Sequence, residues 1–221
     1  MIKVILCDDH ALIRRGIRDT LADAADIEVI GEAGDYGELR GLMRNLAAGS
    51  PDGHATRCDV LVLDINLPGR SGLDVMHVLK DEGSPVKVLV VSMYPEDQYA
   101  IRALRAGAYG YVNKGGDPQL IVQAVRTVAQ GRKYVTPEIA QMLVESLTAP
   151  VPEHAHDKLS DRELQTLVMI ASGKRLSDIA EQLTLSPKTV SVYRARVLEK
   201  LGLQNNSELT VYAIRNGLVG E

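Results

Sequence analysis

Hydrophobic residues in the N-terminal half of the chain fall into short continuous runs separated by mixed, helix-length segments. The runs lie near positions 2–7, 27–32, 59–63, 86–91 and 109–113. The intervening segments, with apolar residues at helical spacing, lie near 11–24, 36–48, 71–81, 96–107 and 118–130. Buried runs that alternate with helices predict an α/β domain. Its five strands are expected to form a doubly wound parallel sheet with helices on both faces.

Polar residues stand where four of these predicted strands end. Asp8 and Asp9 follow the first run, Asp64 the third, Ser92 the fourth and Lys114 the fifth. In an open parallel sheet, functional groups gather outside the carboxyl ends of the strands. We therefore expect three carboxylates, a hydroxyl and an ammonium to meet in one acidic pocket that is suited to a metal ion.

One connection is longer than the others. Positions 47–57 are rich in glycine, proline and polar residues. Such a segment is typical of a solvated surface insertion, and a loop that docks a partner is the alternative.

The pattern changes after Gly131, which gives three predicted regions: a first domain at 1–131, a linker at 132–157 and a second domain at 158–221. Pro137 is expected to open a short helix that ends near Leu147, inside the linker. The segment 148–156 reads as an extended connection.

Helix-capping residues divide the second domain into four short helices. Ser160 with Glu163 forms a capping box, Ser177 is expected to cap a helix over 178–183, and Ser186 precedes a proline that starts a third helix. Asn205 is expected to open the fourth. The second and third helices are separated by only three residues, which predicts an all-α, four-helix domain containing a helix-turn-helix.

The third helix has an apolar stripe at positions 190, 193, 197 and 201. Its other surface combines cations with small side chains: Lys188, Thr189, Ser191, Val192, Arg194, Ala195, Arg196 and Lys200. Cations suit phosphate oxygens, and small side chains allow a helix to enter the major groove of DNA. The alternative is an ordinary solvated basic face, but the preceding helix and tight turn favour DNA binding. The whole chain has a net charge of −4, but residues 157–221 carry 9 basic and 8 acidic residues. The negative charge therefore lies in the N-terminal part of the chain.

The N-terminal domain resembles the receiver domain of two-component response regulators, which carries the flavodoxin-like fold. The resemblance rests on Asp8-Asp9, Asp64, Leu67-Pro68-Gly69, Gly72, Ser92, Tyr111 and Lys114. The C-terminal domain resembles the LuxR-type helix-turn-helix in segments 159–163, 179–180, 185–190 and 200–202. Together they resemble the NarL/FixJ class of transcription factors over essentially the whole chain. Segments 188–194 and 208–210 look most similar to the GacA/UvrY and BvgA type.

This resemblance implies a role for each pocket residue. Asp64 would accept a phosphoryl group, and Asp8, Asp9, Asp64 and the backbone carbonyl of Asn66 would hold Mg²⁺. Lys114 would pair with a phosphoryl oxygen, and Ser92 would donate a hydrogen bond to it. Ser92 and Tyr111 would form the switch, with Tyr111 turning inward after phosphorylation.

The chain is accordingly expected to be a response regulator transcription factor rather than an enzyme, apart from its own phosphorylation and dephosphorylation. A sensor histidine kinase would phosphorylate it, and phosphorylation would promote a homodimer that binds double-stranded DNA. A phosphorylation-gated protein-binding regulator without DNA binding is the main alternative, and an Mg²⁺-dependent phosphatase is a further one. The sequence shows no signal peptide or spanning apolar run, which predicts a cytoplasmic protein without membrane contact.

Two positions depart from the commonest receiver pattern. Gly115 follows Lys114, where many receivers carry a proline in a cis bond. Tyr94, two residues after Ser92, is bulky and is expected to crowd the phosphoryl group and to tune the lifetime of the acyl phosphate together with Asn66.

Overall fold

The computed structural model of the protein describes residues 1–48, 56–94, 96–148 and 155–219. It divides into two compact units, Met1–Val144 and Glu145–Glu221.

The first unit contains a five-stranded sheet whose paired strands all run parallel. Its strands are β1 (Ile2–Cys7), β2 (Ile27–Ala33), β3 (Val60–Leu63), β4 (Lys87–Ser92) and β5 (Gly110–Asn113). They lie side by side in the order β2-β1-β3-β4-β5. The accompanying helices are α1 (Ala11–Ala22), α2 (Tyr36–Ala48), α3 (Gly72–Asp81), α4 (Glu96–Arg105) and α5 (Gln119–Ala129). The predicted fold class is confirmed.

The central strands are buried on both faces, which explains why their sequences are continuous apolar runs. All four residues of β3 are buried, as are the last four of β1. Val4 and Leu6 on β1 join Val60 and Val62 on β3 in one core cluster, to which α5 contributes Val125. The register pairs Cys7 with Leu63, so β1 and β3 end side by side. The residues that follow the two strands are thereby brought to the same edge of the sheet.

The second unit contains α7 (Asp161–Ala171), α8 (Leu176–Gln182), α9 (Pro187–Leu201) and α10 (Asn206–Arg215). The predicted capping box at the start of α7 is present: Glu163 N donates to Ser160 Oγ, and Ser160 N donates to Glu163 Oε2 at 2.8 Å. The prediction that Ser177 caps α8 is wrong. The helix begins one residue earlier than Ser177, after Arg175, whose backbone N–H donates to Asp178 Oδ2.

The predicted linker contains α6 (Pro137–Thr148), and its end forms the first part of a 3₁₀ turn over Ala155–Lys158. Most of the predicted extended connection, at 149–154, lies outside the described residues, as does the centre of the predicted insertion, at 49–55. His156 Nδ1 lies 2.9 Å from Tyr212 Oη, which ties this turn to α10 within the second unit. Among the described residues, no helix is both long enough and apolar enough to cross a bilayer.

Candidate functional site

The predicted pocket residues meet at the carboxyl edge of the sheet. Lys114 Nζ lies 2.6 Å from Asp8 Oδ2 and 2.8 Å from Asp64 Oδ2. All three side chains are at most 5% exposed, and Ser92 ends β4 with 1% exposure. One buried ammonium therefore joins carboxylates from two different strand ends, as the strand order requires.

Burial and charge work against each other at the central carboxylate. Burial raises the pKa of Asp64, the Lys114 ammonium opposes this rise, and the neighbouring charge of Asp8 adds to it. Burial likewise raises the pKa of Asp9, which His10 opposes. A single ammonium cannot neutralise three carboxylates, so the pocket favours an additional cation.

Unpartnered oxygens in the pocket fit a metal ion. Asp64 Oδ1 and Asn66 Oδ1 are buried and accept no hydrogen bond from any described residue. Asp8, Asp9, His10 and Asp64 each offer a ligand atom, and these atoms lie within 4.8 Å of one another. Carboxylate and amide oxygens are the ligands that hard divalent cations prefer. The arrangement is an acidic pocket that can hold a metal ion.

His10 is a pocket residue that the sequence reasoning missed. Its Nδ1 lies 2.6 Å from Asp9 Oδ1, and its backbone N–H donates to Asp8 Oδ1 at 2.9 Å. The available signal was its position directly after two candidate metal ligands. His10 therefore helps to orient both carboxylates.

The turn after β3 fixes Asp64 through a close backbone approach. Asp64 N donates to Cys7 O at 2.9 Å, and Gly72 N donates to Ile65 O at 2.8 Å. A Cβ atom on Gly72 would lie 2.1 Å from Asp64 O. Ser71 caps α3 in a capping box, which starts the helix at this glycine. The structure thus accounts for the glycine at this position.

The side chain of Tyr111 lies inward, buried in the protein interior. The residue is 0% exposed, and its hydroxyl donates to Tyr94 O at 2.6 Å. Burial raises its pKa, with a hydrogen bond to Ser92 acting in the opposite direction. The expectation that Tyr111 turns inward after phosphorylation stays a prediction.

The ring of Tyr94 packs against α4. Its centroid lies 4.6 Å from that of Tyr99, with the planes 25° apart. Tyr94 N also donates to Ser92 Oγ at 3.4 Å. The residue is therefore held through both its ring and its backbone, and its crowding of a phosphoryl group stays a prediction.

The helix predicted to contact DNA is well delimited. Ser186 Oγ accepts from Thr189 N at 3.1 Å at its start, and Gly202 ends it in the left-handed conformation with φ of 66°. Val190 and Val197 are buried. Its exposed residues include six of the eight predicted DNA contacts: Lys188, Ser191, Val192, Ala195, Arg196 and Lys200.

Three of the eight predicted DNA contacts have partners within the second unit. Lys200 Nζ donates to the buried Glu163 carboxylate at 2.6 Å, and Arg194 Nε donates to Asn206 Oδ1 at 2.5 Å. The hydroxyl of Thr189 lies 2.8 Å from Ser186 Oγ. Lys200 and Arg194 each stabilise the bundle, so contact with a phosphate would compete with these bonds.

Comparisons with known proteins agree with this geometry. Residues 4–126 match the family model of the response regulator receiver domain, and residues 157–213 match that of bacterial regulatory proteins of the luxR family. The chain is 38% identical to the response regulator GacA of Pseudomonas aeruginosa over 99% of this chain and 98% of GacA. It is also 38% identical to the response regulator UvrY of Escherichia coli K12, over 99% of this chain and 96% of UvrY.

A solved structure has the same architecture. The RcsB response regulator of Salmonella typhimurium is 25% identical and superposes with a TM-score of 0.57 over 99% of each chain. The NarL/FixJ-class resemblance is confirmed, including the similarity to GacA and UvrY. The chain belongs to the response regulators, in which a receiver domain is followed by a DNA-binding domain of the luxR family.

Proposed function

We propose that Asp64 accepts a phosphoryl group from a sensor histidine kinase or a small phosphodonor, and that this modification controls binding of the second unit to promoter DNA. The supporting observation is the state of the Asp64 carboxylate. Its Oδ2 is held by Lys114, and its Oδ1 is buried without a hydrogen-bond donor among the described residues. A carboxylate oriented at one oxygen and available at the other is suited to nucleophilic attack.

The transfer requires neutralisation of charge, because the carboxylate and the phosphoryl group are both anionic. We propose that Asp8, Asp9, Asp64 and the backbone carbonyl of Asn66 hold Mg²⁺, which would supply that positive charge when bound. One oxygen of the Asp64 carboxylate attacks phosphorus and forms a P–O bond. The bond from phosphorus to the donor atom breaks, and its electron pair leaves with the donor.

The neighbouring side chains would then stabilise the new acyl phosphate. Lys114 already lies 2.8 Å from Asp64 Oδ2, within reach of a phosphoryl oxygen at the same carboxylate. Ser92 would donate a hydrogen bond from its hydroxyl to a phosphoryl oxygen. The chemistry ends with hydrolysis of the chain's own acyl phosphate, which is why we assign no substrate turnover.

Phosphorylation would act by changing the populations of two receiver states. It adds about 1.5 to 2 negative charges and three acceptor oxygens, which draw Ser92 and its loop toward the pocket. Tyr111 would follow and remodel the face that α4, β5 and α5 form. A partner that distinguishes the two states by about 1–3 kcal/mol would respond to this change.

The DNA contacts follow from the exposed face of α9. Val192, Ala195 and Ser191 would meet base edges in the major groove, whereas Lys188 and Arg196 would position phosphates. The RcsB structure, 25% identical, comes from work on that protein's interaction with DNA, which supports the assignment. Binding to genomic DNA would place the protein in the cytoplasm.

A homodimer would contact two half-sites related by a two-fold axis. The helix α10 exposes Val211 at 47% and Ile214 at 40%, and these side chains offer apolar surface for such a dimer.

A regulator that binds protein instead of DNA is the second candidate. The observation in its favour is that two of the predicted phosphate-contacting cations, Lys200 and Arg194, already have partners. The few exposed cations of α9 leave a weak electrostatic attraction to a duplex.

The phosphorylation step is tested by incubating the full chain with Mg²⁺ and acetyl phosphate and mapping the modified residue by mass spectrometry. We expect a phosphoryl group on Asp64 only when the divalent cation is present, and none in Asp64→Asn. Asp81→Asn, an exposed acid at the end of α3, is the matched control and should label normally. Label at another residue, or none in the wild type, would refute the assignment.

The two candidates are separated by titrating a promoter duplex at several salt concentrations. Arg196→Ala on α9 should weaken binding and reduce the salt slope by about one counterion. Arg215→Ala, which removes the same charge from the end of α10, should retain wild-type binding. Absence of salt-dependent duplex binding by the phosphorylated protein would support the protein-binding candidate.

A further inference from the structure

The amide of Asn113 joins the two loops that flank the pocket. Asn113 is the last residue of β5 and immediately precedes Lys114. Its Oδ1 accepts from Gly115 N at 2.8 Å, and its Nδ2 donates to Tyr94 O at 3.1 Å. A side-chain amide can donate and accept at the same time, so one residue holds both the loop after β4 and the loop after β5.

The same carbonyl, Tyr94 O, also accepts from the hydroxyl of Tyr111 at 2.6 Å. A carbonyl oxygen has two lone pairs and can accept both donors. Because Tyr111 is fully buried, its hydroxyl needs a partner in this position, and an unpaired buried hydroxyl is costly. The inward position of Tyr111 therefore depends on where the carbonyl of Tyr94 lies.

The hydrogen bond from Gly115 N to Asn113 Oδ1 depends on the residue type at position 115. Gly115 can donate its backbone N–H to Asn113, which a proline at that position would lack. The loop after Lys114 is thus fixed by a side-chain bond.

We infer that Asn113 is a positioning residue that holds the Tyr94 carbonyl within reach of Tyr111 and so favours the inward position of the ring. The inference rests on the proposed function only insofar as the position of Tyr111 reports the receiver state. It goes further by assigning to Asn113 the coupling between the two loops.

Two variants separate this role from general stability. Asn113→Leu has nearly the same size and removes both hydrogen bonds. Asn113→Asp keeps the acceptor for Gly115 but faces the Tyr94 carbonyl with an oxygen. Asn216→Leu is the matched control, because Asn216 Nδ2 donates to Tyr212 O at 2.8 Å at the end of α10 in the second unit.

The test labels the full chain with 3-fluorotyrosine and follows Tyr111 by ¹⁹F NMR without Mg²⁺ or phosphodonor, with Tyr111→Phe to assign the signal. We expect the ratio of inward to outward ring to fall about fivefold in Asn113→Leu, which corresponds to loss of the one hydrogen bond that holds the Tyr94 carbonyl. Asn113→Asp should show a fall in the same direction, and it decides the matter if the leucine variant fails to fold. Asn216→Leu should match the wild type.

An unchanged ratio in both Asn113 variants would overturn the inference, as would an equal change in Asn216→Leu. Labelling of Asp64 by acetyl phosphate is measured separately in the same proteins. A wild type that is not labelled would refute the proposed phosphorylation, whereas the ring ratio, recorded without a phosphodonor, still decides the role of Asn113.

Discussion

Replacing Gly72 with alanine tests how the backbone after β3 positions the phosphoacceptor. The new Cβ would lie 2.1 Å from Asp64 O and 3.0 Å from both Asp64 C and Ile65 Cα. These neighbours are backbone atoms, so no side chain can rotate to relieve the contact. Since real Cβ contacts shorter than 3.0 Å are essentially unknown, the segment that carries Asp64 must retreat by about 1 Å.

The expected magnitude follows from that displacement. Overpacking of this kind typically destabilises a protein by about 1–3 kcal/mol. A misplacement of roughly 1 Å at a reacting group can cost about a hundredfold in rate. We therefore expect Gly72→Ala to fold with reduced stability and to be phosphorylated at Asp64 about a hundredfold more slowly.

The assay measures the rate of Asp64 phosphorylation by acetyl phosphate at saturating Mg²⁺, with hydrogen exchange of peptides from β3 and α3 as the stability readout. Gly16→Ala is the matched control, because Gly16 lies exposed within α1 with nothing within 4 Å of an added Cβ. It should stabilise the helix by about 0.5–1 kcal/mol and leave the rate unchanged. A wild-type rate in Gly72→Ala would refute the reasoning.

Three further changes test other parts of the structure. Burial raises the pKa of Glu163, but hydrogen bonds, chiefly from Lys200, outweigh burial and hold the pKa below its usual value of 4.5. The ionised Glu163 therefore stabilises the folded second unit above pH 4.5. This contribution is lost as the pH falls through the lowered pKa. Glu163→Gln should therefore reduce the loss of stability of the second unit at acid pH, measured by circular dichroism. If the stability of this variant fell with pH as in the wild type, the Glu163–Lys200 pair would not be the cause of that loss. Ser186→Ala should destabilise α9 by about 1 kcal/mol, because Thr189 N loses its acceptor; hydrogen exchange as slow as in the wild type would contradict this. Tyr94→Ala should shorten the lifetime of the acyl phosphate, and an unchanged dephosphorylation rate would count against a shielding role for the ring.

Much of the fold and the set of pocket residues could be predicted because strand topology constrains them strongly. Once the runs ending at Asp8, Asp64 and Lys114 are parallel strands of one sheet, their ends must share an edge. The capping box of Ser160 was readable for a similar reason, since it depends on residues three positions apart. The cap at Ser177 was wrong because the Asp178 carboxylate captures an earlier backbone N–H and moves the helix start.

Interactions between residues far apart in sequence were not readable in the same way. Lys200 looks like a phosphate contact on its own helix, and its bond to Glu163, 37 residues away, follows only from the packing of α7 against α9. The inward position of Tyr111 is a choice of side-chain conformation, and it depends on a carbonyl 17 residues earlier. Sequence periodicity reports which face a residue occupies, but it does not report such pairings.

The most direct test of the central claim is the affinity for promoter DNA before and after treatment with acetyl phosphate and Mg²⁺, for the wild type and for Asp64→Asn. The account predicts that the treatment tightens binding by the wild type, by about 5- to 150-fold for a coupling of typical size, and leaves Asp64→Asn unchanged. Equal tightening in both proteins, or Asp64→Asn binding as tightly as the phosphorylated wild type, would contradict the claim that this aspartate controls contact with DNA.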